Sequence, residues 1–285
     1  MPLAGTSHRR RTASALAGVL ALATALALAG CGGSERELKI TVAGGIGKNP
    51  VTVKAPKSTT GGLKRITLKD NGNAPLDGQL VRVDGNHSAQ EVLHVVQGQG
   101  TPIPGWIHGA GGVGQVRPHK SATVVQNLAP GRYYIFSGED VKPGIAPLTV
   151  KGGKPGKLPK TQATITTREY TFDVSGLKAG KEKVLFRNAG RELHHVIAAP
   201  MLPGKTLAEV KKFVSQAASN RKPPSGRPPI DMNGGFQTTV LDPGIAQVID
   251  VDLKPGRYAL MCFINDRKGG PPHVMKGMLK EVDVK

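Results

Sequence analysis

Apolar residues along most of this chain come in short runs bounded by Gly, Pro, Asn or Asp, the spacing of half-buried strands rather than of long helices. Val184-Leu185-Phe186, Val196-Ile197-Ala198, Ala246 to Val251, Tyr258 to Met261 and Leu279 to Val284 are runs of this kind. Short strands with regular turn punctuation predict an all-β sandwich or barrel. One stretch departs from the pattern. Leu207, Val210, Phe213 and Val214 recur at helical spacing behind Thr206, and Glu209 stands three residues after that threonine. This is a capping box opening a helix.

The whole pattern occurs twice. Gly62-Leu63-Lys64-Arg65-Ile66-Thr67-Leu68-Lys69-Asp70-Asn71-Gly72 lies over Gly180-Lys181-Glu182-Lys183-Val184-Leu185-Phe186-Arg187-Asn188-Ala189-Gly190 at an offset of 118. At the same offset Ser88 to Val96 falls on Thr206 to Val214, so each copy carries one helix. Leu128-Ala129-Pro130-Gly131-Arg132-Tyr133 falls on Leu253-Lys254-Pro255-Gly256-Arg257-Tyr258 at an offset of 125. The difference is absorbed in the Pro-rich stretch Arg221 to Ile230, which reads as a loop. A period above about 100 residues means duplicated domains, not a solenoid. The expected organisation is a signal segment at 1–30, a tether at 31–37, a first domain at 38–150, a linker at 151–160 and a second domain at 161–285.

The N-terminus predicts the compartment. His8-Arg9-Arg10-Arg11 is a basic n-region, and Ala15 to Leu28 is an apolar run of about 14 residues, short for a membrane span. Leu28-Ala29-Gly30-Cys31 closes it and resembles a bacterial lipobox, which implies lipid on Cys31, export, and anchoring to the outer side of the cell membrane. Removing the arginines at 9, 10 and 11 with the signal takes the formal charge from +19 to +16. Residues 31–159 then carry 16 basic and 8 acidic side chains, and residues 160–285 carry 20 and 12, so each half is +8 with no basic block. Single-strand nucleic-acid platforms need stacking aromatics, and only 4% of this chain is aromatic. The expected partners are an acidic protein and the membrane, not nucleic acid, and the expected state is a monomer. With Cys31 lipidated, Cys262 is the remaining cysteine. A lone thiol in an oxidising compartment calls for an explanation, and metal ligation is one.

Candidate chemistry falls in the second copy alone. His194, Cys262, His273 and Met278 supply two imidazoles, a thiolate and a thioether, the donors of a trigonal blue-copper centre with a weak axial ligand. His194 follows the turn Asn188-Ala189-Gly190 and shares a strand face with Val196 and Ala198. Cys262 ends the run from Tyr258, and His273 and Met278 follow before the last strand. His195 competes with His194 for the first position and points to the opposite face; Met275 competes with Met278, at a shorter reach from His273. The first copy has Leu76 at the position of His194 and Ser137 at that of Cys262, and Gly138 to Pro147 holds no His or Met.

These residues resemble the cupredoxin family: Asn188 to Val196, Cys262, and His273-Val274-Met275-Lys276-Gly277-Met278. The His273–Met278 spacing is similar to that of plastocyanins, and His-Val-x-x-Gly-Met resembles the type 1 loop of copper nitrite reductases. The stretch from Cys262 to His273 is longer than in plastocyanin. The resemblance implies two tandem cupredoxin-like Greek-key β-sandwiches, each with one short helix, and one type 1 copper in the second. It also implies that His273 is the ligand nearest solvent, ringed by Gly269, Gly270, Pro271, Pro272 and Val274 and by the cations Arg267, Lys268 and Lys276. That surface would dock an acidic redox partner.

Other motifs lose on context. Gly109 to Gly114 fits GxGxxG, but it leads into Val116-Arg117-Pro118 and a strand, not a helix. Met261 and Phe263 flank Cys262, so no histidine couples the thiolate to a second copper as an oxidase needs. The expected protein is therefore an electron carrier and not an enzyme. A copper-buffering lipoprotein without redox turnover and an envelope module with a vestigial site are the alternatives.

Overall fold

The computed structural model describes residues 36–45, 49–98, 100–138, 142–219 and 226–285. The signal segment at 1–30 and the proposed lipid site Cys31 lie outside the described residues. Among those residues no helix is long and apolar enough to cross a membrane.

The first copy comprises β1 (Arg36–Ala43), β2 (Thr52–Lys54), β3 (Ser58–Thr60), β4 (Gly62–Asp70), β5 (Leu76–Val83), α1 (Ala89–Val96), β6 (Ile107–Val116), β7 (Ser121–Leu128), β8 (Gly131–Ser137) and β9 (Gly144–Lys151). The second comprises β10 (Ala163–Arg168), β11 (Thr171–Ser175), β12 (Gly180–Asn188), β13 (Ile197–Pro200), α2 (Leu207–Ser219), β14 (Phe236–Gln237), β15 (Ala246–Leu253), β16 (Gly256–Met261) and β17 (Leu279–Val284). In the first copy the strands order as β2-β1-β4-β7 and β3-β9-β8-β5-β6; in the second, β11-β10-β12-β15 and β17-β16-β13-β14. Replacing each strand by its repeat partner turns one order into the other, apart from the extra edge strand β3. The parallel pairs match as well, β1 with β4 and β10 with β12. The fold is thus a duplicated, cupredoxin-like β-sandwich.

The alternation seen in the sequence sets which face is buried. Along β4 the side chains of Ile66 and Leu68 are wholly buried, and along β12 those of Val184 and Phe186 are. Completely burying such a side chain contributes about 1.5–3 kcal/mol. Both helices open on the predicted capping box: Ser88 N–H donates to Glu91 Oε2 at 2.7 Å, and Thr206 N–H to Glu209 Oε2 at 2.9 Å. Each copy also has a tyrosine returning to the chain four residues before it, Tyr133 OH to Ala129 O and Tyr258 OH to Lys254 O.

The copies join edge to edge. β7 and β15 pair antiparallel with Val124 opposite Ile249, and these residues are repeat equivalents. A local two-fold relation therefore runs through the seam of one continuous eight-stranded sheet. A second seam explains the glycine run. Gly109 to Gly114 lies inside β6 itself and not ahead of a strand, and residues 237–242 of the second copy run against it. Gly111 N–H donates to Val240 O at 3.1 Å, and Asp242 N–H donates to Gly109 O at 2.7 Å. A Cβ at Gly114 would stand 1.7 Å from Gln237 O. Glycine here permits backbone-to-backbone packing, with no phosphate involved.

Candidate metal centre

Three of the four nominated donors converge. His194 is fixed by a two-way backbone pairing with Leu241, at 3.1 and 2.9 Å, which continues the seam just described. Asn188 holds the turn before it, donating through Nδ2 to Glu192 O at 2.7 Å and Leu241 O at 2.8 Å. A Cβ at Gly190 would stand 3.1 Å from His194 Nε2, so this turn lies close over the imidazole. Cys262 follows β16 directly, and Val274 N–H donates to its carbonyl at 2.7 Å. His273 begins a single 3-10 turn, His273–Lys276, which Gly277 ends with a φ of 98°.

Cys262 Sγ lies 3.6 Å from His273 Nδ1 and 3.9 Å from His194 Nδ1, and the two nitrogens are 3.1 Å apart. A point equidistant from atoms so separated lies about 2.1 Å from each, within the span of metal–imidazole and metal–thiolate bonds. All three side chains are completely buried. Among the described residues this is the one cluster of three or more His, Cys, Asp or Glu placed to hold a metal. Met278 is wholly buried in the same apolar cluster as Cys262, and its N–H donates to His273 O at 2.9 Å.

Without a cation the pocket is neutral. Burial, then the nearby His273, lowers His194 to about 4. Burial pushes the Cys262 thiol up to about 12, although backbone N–H groups of His195 and Ile264 favour the thiolate. A soft cation reverses that balance by taking the sulfur as thiolate. Two imidazoles and a thiolate in a dry, closed pocket fit a type 1 copper.

His195 has a different task. Phe263 N–H donates to its Nε2 at 2.9 Å, which ties the residue after Cys262 to the residue after His194. Burial, then His273 and His194, lowers it to about 3. Met275, the competitor of Met278, is 38% exposed.

His273 has no exposed edge of its own; a capping network lies over it. Its ring is 0% exposed, and Nε2–H donates to Asp266 Oδ1 at 2.9 Å. A carboxylate only accepts, so this bond fixes the tautomer and turns the Nδ1 lone pair toward the site. Tyr170 OH donates to Asp266 at 3.1 Å, its ring meets the imidazole edge-on at 5.2 Å, and Lys276 pairs with the same carboxylate. Burial raises Asp266, but the hydrogen bonds from Lys276, Tyr170 and His273 outweigh it and hold the group ionised. Tyr170 has a φ of 60°, a conformation costly for a bulky residue and maintained by this capping network.

The docking surface is corrected. Val274 is buried beneath α2 with Val210 and Val214, because the 3-10 turn points it inward. Arg267 is neutralised by Asp242 at 2.7 Å, and Lys276 by Asp266. Of the nominated docking residues, Lys268 and Pro271 are exposed and Pro272 is half-buried. Asp266, Tyr170 and Asp242 had no signal in the sequence; Tyr170 and Asp266 are 96 positions apart.

Fold and donor set together describe a duplicated cupredoxin-like sandwich whose second copy carries a buried His–Cys–His set suited to a type 1 copper. No family model matches the chain, and no curated protein does. Among solved structures it is similar to a copper-containing nitrite reductase from Thermus scotoductus SA-01, at 12% identity and a TM-score of 0.25, over 88% of this chain and 62% of that one. The chain thus spans less than two thirds of that enzyme. It is also similar to auracyanin from Roseiflexus castenholzii, at 22% identity and a TM-score of 0.27, over 43% of this chain and 94% of that one. A copper nitrite reductase from Nitrosomonas europaea matches at 13% identity and a TM-score of 0.25, over 88% of this chain and 94% of that one.

Proposed function

We propose that this chain is a one-electron carrier, lipid-anchored through Cys31 on the outer side of the cell membrane, with its copper centre in the second copy. The observation that supports this reading is the closure of the donor pocket. His194, Cys262 and His273 come from two loops braced by backbone hydrogen bonds, and all three are inaccessible to water. Copper held there supplies a Cu(II)/Cu(I) couple, and Met278 is the candidate axial thioether. The protein's part is to keep one donor geometry for both oxidation states. Asp266 holds the His273 ring, the Leu241 pairing holds His194, and the apolar cluster around Cys262 and Met278 excludes water.

No histidine flanks Cys262, which supports a carrier over an oxidase that passes electrons to a second copper. With Arg267 and Lys276 paired to carboxylates, the exposed Lys268 is the nominated cation left for an acidic partner, beside the exposed Pro271 and Met275. Voltammetry of the copper-loaded full chain tests the reading. A reversible one-electron wave supports a carrier; bound copper with no reversible wave supports buffering or delivery instead. Cys31→Ala should release the protein from membranes, because two acyl chains give stable anchoring. Retention of that variant would contradict the anchor.

A further inference from the structure

The ligand-bearing loop of the second copy is held from both copies: within its own, Arg267 N–H donates to Glu192 Oε2 at 2.7 Å and His273 N–H to Ile264 O at 2.8 Å, and further bonds come from the first. Ile103 N–H donates to Arg267 O at 2.7 Å, and Gly270 N–H donates to Gly100 O at 3.2 Å. Asn265 Nδ2 donates to Thr101 O at 3.2 Å. A Cβ at Gly269 would stand 2.9 Å from Gly100 O, so the two loops meet backbone to backbone. The Arg267 side chain reaches further into the first copy. Its Nη1 donates to Pro104 O at 3.2 Å and Ile107 O at 3.1 Å, while its Nη2 stays within the second copy and donates to Asp242 Oδ1 at 2.7 Å. The other Asp242 oxygen accepts from His108 Nδ1 at 2.7 Å, and His108 Nε2 continues to Asp84 at 2.8 Å.

Asp266 stands between Asn265 and Arg267, so the residues on both sides of it are bonded to the first copy. Asp266 is also the group that orients His273. The extra length between Cys262 and His273, which bears Gly269-Gly270-Pro271-Pro272, is the segment used for this contact. The ends of this loop pair with each other, Val274 N–H to Cys262 O and His273 N–H to Ile264 O, and the glycines between them rest on the first copy.

We propose that the metal-free first copy is a positioning element for the metal centre. Its 100–108 segment, acting through Arg267, fixes Asp266 against His273 and so sets how tightly the second copy retains copper and at what potential it works. Arg267 and His108 are positioning residues. The proposal rests on the copper reading above and adds a role for the copy that lacks ligands.

The test uses the full chain loaded with Cu(II). The wild type is compared with Arg267→Ala, Arg267→Lys, His108→Ala and a control, Val125→Ala, which loosens the other seam without touching the loop. Copper release to excess chelator, visible spectrum and midpoint potential are recorded beside Tm. Arg267→Ala should lose copper faster, by less than the roughly ten- to a hundred-fold expected for removing the ligand's own outer-shell partner, with a moved potential and retained colour. His108→Ala, a change wholly in the first copy, should move the same readings in the same direction, and Val125→Ala should lower only Tm. If Arg267→Ala does not fold, Arg267→Lys and His108→Ala decide on the same readings. A coloured wild type whose variants release copper at the wild-type rate and potential overturns this proposal alone. A wild type that binds copper without a thiolate band overturns the copper reading, and this proposal falls with it.

Discussion

The two copies share a scaffold and differ in a pocket. Both have the capping box, the tyrosine return and the same strand order, with the elements from β4 to β8 offset from their partners by 118 or 125 residues. Where the second copy places His194 and Cys262, the first has Leu76 and Ser137, both buried. Leu76 extends the apolar core. Ser137 is less comfortable, since its hydroxyl is buried with no hydrogen-bond partner among the described residues. The connections differ as well: residues 138–143 join β8 to β9, and residues 262–278 join β16 to β17. Packing alone therefore specifies the sandwich, since it survives in both copies. The metal centre needs two point differences and a long loop, and that loop leans on its twin.

The comparison breaks most readily at the donors. His273→Ala or His194→Ala should abolish the blue centre, because a trigonal set missing one imidazole no longer imposes its geometry. Visible and EPR spectra of the copper-titrated full chain read this directly, and a retained blue band in either variant would remove that residue from the ligand set. A smaller effect follows at the Asp266 carboxylate. Asp266→Asn should keep the colour and weaken copper binding about ten- to a hundred-fold, as for other outer-shell partners. Equal affinity by chelator competition would show that the tautomer needs no carboxylate.

The metal-free protein should also report the asymmetry through pH. His194 and His195 fall from 6.5 to about 4 and about 3 in the folded chain. Their folded-state values are depressed, so stability is complete above about pH 6.5 and is lost as pH falls toward 4 and then 3, where only the unfolded chain takes up protons. Each histidine contributes a slope of up to about 1.4 kcal/mol per pH unit in that window. Denaturant melts between pH 7 and pH 4 should show it, with a shallower slope for His195→Gln; a flat profile would mean that these rings are hydrated. The smallest effect belongs to the first copy. Ser137→Ala should leave copper binding unchanged and raise stability by about 1 kcal/mol, because an unpaired buried hydroxyl is removed. A loss of stability would show that Ser137 has a partner.

Much of this was legible in the sequence, for identifiable reasons. Strand runs and capping boxes are local patterns, and a duplication displays each of them twice. The donors were legible because thiolate, imidazole and thioether are scarce residue types arriving in a telling order. What was not legible depends on contacts across the seam. Asp242 meets His108 over 134 positions, and no periodicity announces such a pair. The burial of His273 was invisible because Tyr170 and Asp266 come from opposite ends of the second copy. Arg267, Lys268 and Lys276 look alike as charges in a loop, yet two of them are engaged by carboxylates. The glycines of β6 were recognised as a non-phosphate run, but their packing role needed the facing 237–242 segment.

One copy is expected to hold a thiolate-bound copper and its twin none. The most direct measurement is a Cu(II) titration of the full chain, followed at once by visible absorption and by metal content after desalting, for wild type, Cys262→Ser and Ser137→Cys. The account predicts one copper per chain with an intense thiolate-to-copper band in the wild type, loss of that band in Cys262→Ser, and no second band in Ser137→Cys, where Leu76 still replaces an imidazole. A band that survives Cys262→Ser, or a wild type that retains two coppers per chain, would contradict it.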